Sequence, residues 1–305
     1  MNAREISILY RGPLSSCNYD CSYCPFAKRH ETAAELDIDR RALERFVNWV
    51  CRSDQLLLNV FFTPWGEAMT RSWYRQAMVQ LSRQPQVQKI VAQTNLSFRQ
   101  DWLPETDVTR LAFWCTYHPS EISRDEFLNR SRQLTATGVA HSVGMVGRPQ
   151  DLDEIEAVRR ELPSDIYLWI NAWEVSAGKK YAYSEQEIHR LESVDPWFRF
   201  NHSDHSSAGK ICRTGTEVFS VNGDGQVRRC HFVETVMGNL YEPGFCFPST
   251  ALPCPNATCT CHIGYVHLQD LQLQQVFGTG ILERIPVREV FRSRSSHTEF
   301  LSRPN

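Results

Sequence analysis

The sequence predicts an α/β fold: a partial (β/α)6 TIM-like barrel followed by a small Cys-rich extension that contains a β-hairpin. Three observations carry this. About six strand–helix units follow one another over the first 200 residues, and such alternation argues for a parallel sheet closed or partly closed into a barrel. An eight-unit barrel typically takes about 250 residues, more than the roughly 200 present, so a partial barrel fits better. Beyond residue 200 the rhythm gives way to a turn-rich region dense in Cys and Pro. The expected domains are 1–200 (barrel), 201–270 (metal-held extension) and 271–305 (helical or irregular tail).

Taken in order, ISILYRG (6–12) reads as the first strand and DRRALERFVNWVC (39–51) as a helix whose apolar stripe includes Phe46, Val47 and Val50. LLLNVFF (56–62) is a continuous apolar run, the mark of a strand buried on both faces. RSWYRQAMVQLSRQ is helical, KIVAQTN (89–95) and RLAFWCTYH (110–118) are strands, and the next helix opens on a capping box, Ser123 with Glu126, and ends near Gly138. VAHSVGMVG (139–147), a helix over 152–162 and DIYLWINAW (165–173) follow, then a helix introduced by a second box, Ser184 with Glu187. NHSDHSSAGK (201–210) is polar enough for a linker with solvated His202 and His205, and EVFSVNGDGQVRRCHF holds two short β-runs around Asn-Gly-Asp-Gly, a strong hairpin signal.

Charge is nearly balanced, 33 basic against 35 acidic residues in 305. The lack of a basic stripe disfavours a nucleic-acid partner. No secretory h-region and no apolar stretch near the roughly 20 residues of a bilayer span is present, so a cytoplasmic protein without a membrane partner is expected. Eleven cysteines in such a compartment point to metal or catalysis rather than disulfides. They fall into two groups: Cys17, Cys21 and Cys24 at the start, and Cys212, Cys230, Cys246, Cys254, Cys259 and Cys261 near the end. Cys51, at the end of an apolar helical stripe, reads as a packed thiol, and so does Cys246 between Phe245 and Phe247.

The first group, SSCNYDCSYC, follows the first strand, and barrel active sites are built from such strand-end loops. Other unusual residues fall at equivalent ends: Gly66 and Glu67 after strand two, Thr94 and Asn95 after strand three, Cys115, Thr116 and His118 after strand four, Gly144 and Gly147 in strand five, and Asn171, Trp173 and Glu174 after strand six. Three protein ligands would leave one metal position open, as in catalytic rather than structural sites. A zinc site completed by a distant ligand such as His30 is the alternative.

At these residues the sequence resembles the radical S-adenosylmethionine (radical SAM) enzymes, whose signature is C-x3-C-x-aromatic-C after strand one of a partial (βα)6 barrel, here Cys17, Cys21, Tyr23 and Cys24. The resemblance covers roughly residues 5–200. It implies a [4Fe–4S] cluster on the three cysteines, S-adenosylmethionine chelating the fourth iron, and an electron donor such as flavodoxin or ferredoxin. One-electron cleavage would give a 5′-deoxyadenosyl radical that abstracts hydrogen from substrate. It places Tyr23 beside the adenine, and it aligns the family's Gly-Gly-Glu motif, which receives the amino group, with Trp65-Gly66-Glu67, where Trp replaces the first Gly. Thr94, Asn95, Thr116, Gly144 and Asn171 join the expected cofactor-binding set.

Cys212 and Cys230, with Gly225 between them, match C-x12-G-x4-C, which resembles the opening of the SPASM and twitch extensions. That implies an auxiliary [4Fe–4S] cluster, with Cys254, Cys259 and Cys261 as the further candidates; a zinc knuckle using His262 or His267 is the alternative. The expectation is an oxidoreductase-type enzyme acting on a peptide or small metabolite, with the auxiliary cluster aiding oxidation or anchoring substrate. Strand one beginning by residue 6 leaves no N-terminal leader-recognition domain, which implies a small substrate or a separate recognition protein. The loop EVSAGKKYAYS (174–184), with Lys179 and Tyr181, is suited to substrate contact. The competing classes are a radical SAM enzyme acting on RNA and a non-catalytic zinc protein on the same scaffold.

Overall fold

The computed structural model describes residues 3–26, 29–176 and 178–287. The last 18 residues of the expected tail, 288–305, lie outside the described residues. The elements run β1 (Arg4–Arg11), α1 (Ala33–Arg52), β2 (Leu56–Phe62), α2 (Ser72–Ser82), β3 (Val87–Thr94), β4 (Leu111–Thr116), α3 (Arg124–Thr137), β5 (Ala140–Val146), α4 (Leu152–Glu161), β6 (Leu168–Asn171), β7 (Glu174–Ser176), β8 (Lys179–Lys180), α5 (Glu185–Val194) and α6 (Phe198–His202). Then come β9 (His205–Ser206), β10 (Val218–Asn222), β11 (Gln226–Arg228), β12 (Val236–Asn239), β13 (Thr258–Cys259), α7 (His262–Tyr265) and α8 (Leu273–Phe277).

The fold is mixed α/β around one large, mostly parallel sheet in the order β12–β11–β10–β1–β2–β3–β4–β5–β6. Every pair from β10 through β1 to β6 is parallel. The expected hairpin forms antiparallel from β10 and β11, and β12 adds antiparallel beyond it. The hairpin is hydrogen-bonded into the sheet through the parallel β1–β10 pair, with Leu9 opposite Ser220.

Strand alternation splits the sheet into two apolar faces. One face carries Ile8, Tyr10, Val60, Phe62, Ile90, Phe113 and Met145 and is covered by helices α1 to α6. The opposite face carries Leu9, Phe61, Val91, Trp114 and Trp169 and is covered by the C-terminal segment through Ile263, Tyr265, Leu273, Phe277 and Leu282. Gly144, on β5, shows how tight that second face is: a Cβ there would stand 2.1 Å from the Trp169 ring.

Several local expectations are corrected. The first helix begins six residues earlier than its apolar stripe suggests, because Thr32 and Glu35 form a complete capping box. At Ser123 only half a box exists: the serine accepts from Glu126 N–H, while the Glu126 carboxylate pairs with Arg130. Gly138 ends that helix in the left-handed region, φ 79°. Residues 201–210 are no solvated linker; Asn201 and Ser207 are buried, the His205 ring lies 4.7 Å from Tyr265, and β9 pairs with β13. Cys246 is exposed rather than packed, since it is its neighbours Phe245 and Phe247 that turn inward.

Gly144→Ala should destabilise the protein by about 1–3 kcal/mol through overpacking against Trp169. Urea denaturation checks this, and a loss below about 0.5 kcal/mol would mean that the ring yields freely.

Candidate functional site

Cys17, Cys21 and Cys24 lie on the loop that leaves the carboxyl end of β1. Three acidic side chains anchor the loop at its base. Asp39, buried on α1, accepts from Leu14 N–H (3.1 Å), Trp73 Nε1 (2.7 Å) and Tyr74 Oη (3.2 Å). Glu31 accepts from Ser16 N–H (2.9 Å) and Ser16 Oγ (2.6 Å). From the next strand end, Gly66 N–H donates to Leu14 O (3.3 Å) and Glu67 N–H to Ser16 O (3.1 Å). Gly66 has no room for a side chain, because a Cβ would sit 2.1 Å from Ser16 O. Trp65 points away instead: its ring lies under the Arg11 guanidinium at 4.0 Å and 4.6 Å from Phe26, and it is 43% exposed. Only the second glycine of the motif is therefore a steric necessity here.

The Glu67 carboxylate is the third anchor, 5% exposed. It accepts from Met69 N–H (3.0 Å), Thr94 Oγ1 (2.8 Å) and Asn95 N–H (2.6 Å). Burial raises its pKa to about 7 against the pull of these three bonds. Asn95 Nδ2 in turn reaches Cys17 Sγ (3.7 Å) and Asn18 Oδ1 (3.0 Å), and Tyr19 N–H donates to Cys17 Sγ (3.4 Å). Four residues expected around the cofactor, Gly66, Glu67, Thr94 and Asn95, thus form one hydrogen-bonded unit with the loop.

Burial, with neighbouring Glu67 and Cys24, pushes the Cys17 thiol up to about 11; burial, with Glu121, Cys24 and Cys17, pushes Cys21 up to about 12. Three thiols on one short loop, with N–H donors aimed at the sulfur of Cys17, fit an iron–sulfur group that takes them as thiolates. Among the described residues, no three His, Cys, Asp or Glu side chains converge tightly enough to hold a single metal ion. A four-iron cube spaces its thiolates more widely than one ion does.

Tyr23 Oη meets His118 Nδ1 at 3.0 Å, the two rings lie 5.9 Å apart, and the Arg148 guanidinium stands 4.0 Å from the Tyr23 ring centroid. Burial depresses His118 to about 4, so the imidazole is neutral near pH 7. Thr116 pairs with Gly144 across β4 and β5, and Gly144 O accepts from Tyr117 N–H (2.8 Å). Cys115 is fully buried on the helix-covered face, opposite Thr94 across β3 and β4 and within electrostatic reach of Glu67. Asn171 Oδ1 is occupied by Arg284 (2.8 Å) and Asn201 Nδ2 (3.3 Å). His30 is exposed. In the 174–184 loop, Tyr181 stacks on Trp173, and Lys180 rather than Lys179 is tied down, by Asn201 O (2.7 Å).

The second group is mutually close. Burial, then Cys212, Cys261 and Cys254, raise Cys230 to about 12, and burial, then Cys230, Cys261, Cys212 and Cys254, do the same for Cys259. All five candidate thiols therefore share one neighbourhood. Cys261 is exposed to solvent yet crowded by protein, with Arg11 and Arg284 lowering its pKa against burial. His262 and His267 are buried at 4% and 2% exposure, His262 edge-on to Trp114 at 5.4 Å.

The sequence reading missed Asp39, Glu31, Asp195 and Arg284. Asp39 was findable, as an acid in the buried stripe Asp39, Leu43, Phe46, Val47, Val50. Glu31 and Arg284 carry no local signal, because their partners are remote in sequence or on another segment.

In the metal-free protein, Glu67 should make stability fall as pH rises. Its folded pKa of about 7 lies above the ordinary value of 4.5, so the folded state holds the extra proton between those values and loses its advantage as pH climbs through them. Wild type should lose about 3 kcal/mol relative to its own value at pH 4.5 by pH 8 from this group. Glu67→Gln should flatten that slope in urea melts, and an unchanged slope would refute it.

No protein-family model matches the sequence, and no curated protein matches it. Solved structures do. SuiB of Streptococcus suis bound to S-adenosylmethionine aligns with TM-score 0.51 and 11% identity over 79% of this chain and 64% of SuiB. SuiB bound to its precursor peptide SuiA gives 0.52 and 12% over 79% and 63%. Native anSMEcpe with bound AdoMet and the Cp18Cys peptide gives 0.51 and 15% over 77% of each chain. The chain spans under two thirds of SuiB. At these identities the likeness is one of fold: this chain shares the α/β fold of structures solved with S-adenosylmethionine bound.

Proposed function

We propose that the chain is a radical SAM enzyme. The observation that carries this is the Cys17–Cys21–Cys24 loop, held at the carboxyl end of a parallel sheet by Gly66, Glu67 and Asn95. The mostly parallel sheet, with helices α1 to α6 on one face, is read as a partial (β/α)6 barrel. The five clustered thiols, Cys212, Cys230, Cys254, Cys259 and Cys261, would hold an auxiliary [4Fe–4S] cluster in a SPASM- or twitch-like extension. Peptides occupy two of the structures with this fold, which supports a peptide substrate over a small metabolite. An electron donor such as flavodoxin or ferredoxin and a cytoplasmic setting complete the reading. Among the described residues, no helix is long and apolar enough to cross a membrane.

Cys17, Cys21 and Cys24 would hold the first cluster. With S-adenosylmethionine, that group supplies one-electron cleavage of a sulfonium and so a hydrogen-abstracting carbon radical. The chain's own residues orient and shield. Asn95 Nδ2 and Tyr19 N–H stabilise negative charge on Cys17 Sγ. A carboxylate offers about four acceptor sites; Glu67 has three filled by its own chain, so it registers strand ends and keeps about one site for an incoming amino group. Tyr23, bonded through its hydroxyl to His118 and with the Arg148 guanidinium over its ring, is held in place beside Cys24.

Anaerobic reconstitution, reduction and addition of S-adenosylmethionine should release 5′-deoxyadenosine, and replacing Cys17, Cys21 and Cys24 together by Ala should abolish it. A fully iron-loaded, substrate-supplied protein that releases none would sink the assignment. Cys212→Ala with Cys230→Ala should lower iron by about four atoms per chain while leaving 5′-deoxyadenosine release measurable. Iron unchanged, or zinc in its place, would refute the auxiliary cluster.

A further inference from the structure

On the sheet face covered by the C-terminal segment, two buried side chains near one indole each keep one nitrogen without a hydrogen-bond partner. The first is Arg284, 1% exposed, its guanidinium 4.7 Å from the Trp169 ring and 5.5 Å from that of Trp114. One of its terminal nitrogens donates to Asn171 Oδ1 at 2.8 Å, while its Nε has no partner. The second is His262, 4% exposed, its ring 5.4 Å from Trp114. Its Nδ1 meets Tyr265 Oη at 3.2 Å, and that oxygen already accepts from Asn201 Nδ2 at 3.3 Å. We assign the tyrosine proton to this bond, which puts the imidazole hydrogen on Nε2, an atom without a partner.

Charge points the same way. The nearest carboxylate to Arg284, Asp195, is 3.9 Å away. Asp195 is itself occupied by Ile170 N–H (2.8 Å), Trp197 N–H (3.0 Å) and the Tyr167 hydroxyl. A buried cation left with one good bond, to a neutral amide, is costly unless something anionic completes it. Arg284 also adopts φ +55°, a left-handed backbone unusual for a long side chain. Asn171, the residue that orients it, ends β6 at the same carboxyl edge of the sheet as the Cys17 loop.

We propose that Arg284 and His262, oriented by Asn171 and Tyr265, form an oxyanion subsite that takes a carboxylate or phosphate of the substrate. This rests on the reading of that sheet edge as an active site. The subsite's chemistry, a guanidinium Nε–H beside a neutral imidazole N–H over an indole face, suits an oxygen anion and rejects a cation. A substrate held there would stand near Cys261, whose thiol both Arg284 and Arg11 influence.

The test uses the full chain, anaerobically loaded with iron and sulfide and left unreduced. Inorganic phosphate and acetate are titrated separately by calorimetry at constant ionic strength. At least one should bind saturably. Arg284→Lys, which keeps the charge and loses the Nε–H, should weaken binding about tenfold. Replacing the buried arginine can cost the fold, so His262→Phe is read beside it, with Tyr265→Phe as its control: the first keeps a ring against Trp114 and removes both the orphan donor and the Nδ1 bond to Tyr265, the second removes only that bond and should leave anion binding within about twofold. His262→Phe should weaken binding about threefold or more with iron content unchanged. Phosphate binding alone assigns a phosphorylated substrate, and acetate alone a carboxylate. No saturable binding of either anion, which would leave water as the partner of both donors, overturns the inference, as does binding unchanged in a folded His262→Phe protein. Release of 5′-deoxyadenosine from the same preparation separates the two readings: a chain that cleaves S-adenosylmethionine but binds neither anion refutes the subsite alone.

Discussion

The buried carboxylate of Glu67 is the interaction on which the site's geometry depends. Removing a carboxylate from water costs several kcal/mol, and each charge-assisted bond returns roughly 1.5–3 kcal/mol. With three such bonds the exchange is close to balanced, which is why its pKa rises to about 7 rather than further. What the arrangement yields is registry. The residue's N–H holds the Cys17 loop through Ser16, its side chain holds the end of β3 through Thr94 and Asn95, and Asn95 returns to Cys17. Three consecutive strand ends are fixed by one residue.

Below that edge, the two sheet faces are filled by different means. Helices that follow every strand of β1 to β6 except β3 cover one face, so their packing is local and their apolar stripes can be read directly. The opposite face is filled by residues 263–282, from the far end of the chain. This division explains why β10 pairs with β1. The chain must return to the start of the sheet before it can lay its last segment across that face, and a parallel β10 delivers it there. The same return brings Cys230 and Cys261 to within electrostatic reach of Arg11, the last residue of β1.

That contrast also explains what the sequence could reveal. Strand–helix order, the Asn-Gly-Asp-Gly hairpin and the cysteine spacing are local signals, and each corresponds to an element in the structure. Glu67, Thr94 and Asn95 were legible as strand-end residues, though their mutual bonds were not. Thr32–Glu35 is a local signal that was overlooked because the apolar stripe starts later. Asp195, Glu283 and Arg284 depend on contacts across 25 to 194 residues, and nothing in their own neighbourhoods distinguishes them from surface charges.

Trp65 and Gly66, adjacent at the end of β2, differ in what their positions allow. If close backbone approach were needed at both positions, Trp65 would be excluded. The strand end instead turns so that residue 65 faces outward, under Arg11, and residue 66 faces Ser16 at a distance that admits no Cβ. Arg11 gains an aromatic face in place of solvent, in addition to Thr63 O at 2.9 Å, and a cation over an exposed indole is worth about 0.5–1 kcal/mol. The tryptophan is therefore compatible with the loop geometry because it acts on Arg11, a residue placed between the two cysteine groups, and not on the loop itself. A glycine at 65 would leave the loop unchanged and remove one of the few contacts that fix that guanidinium.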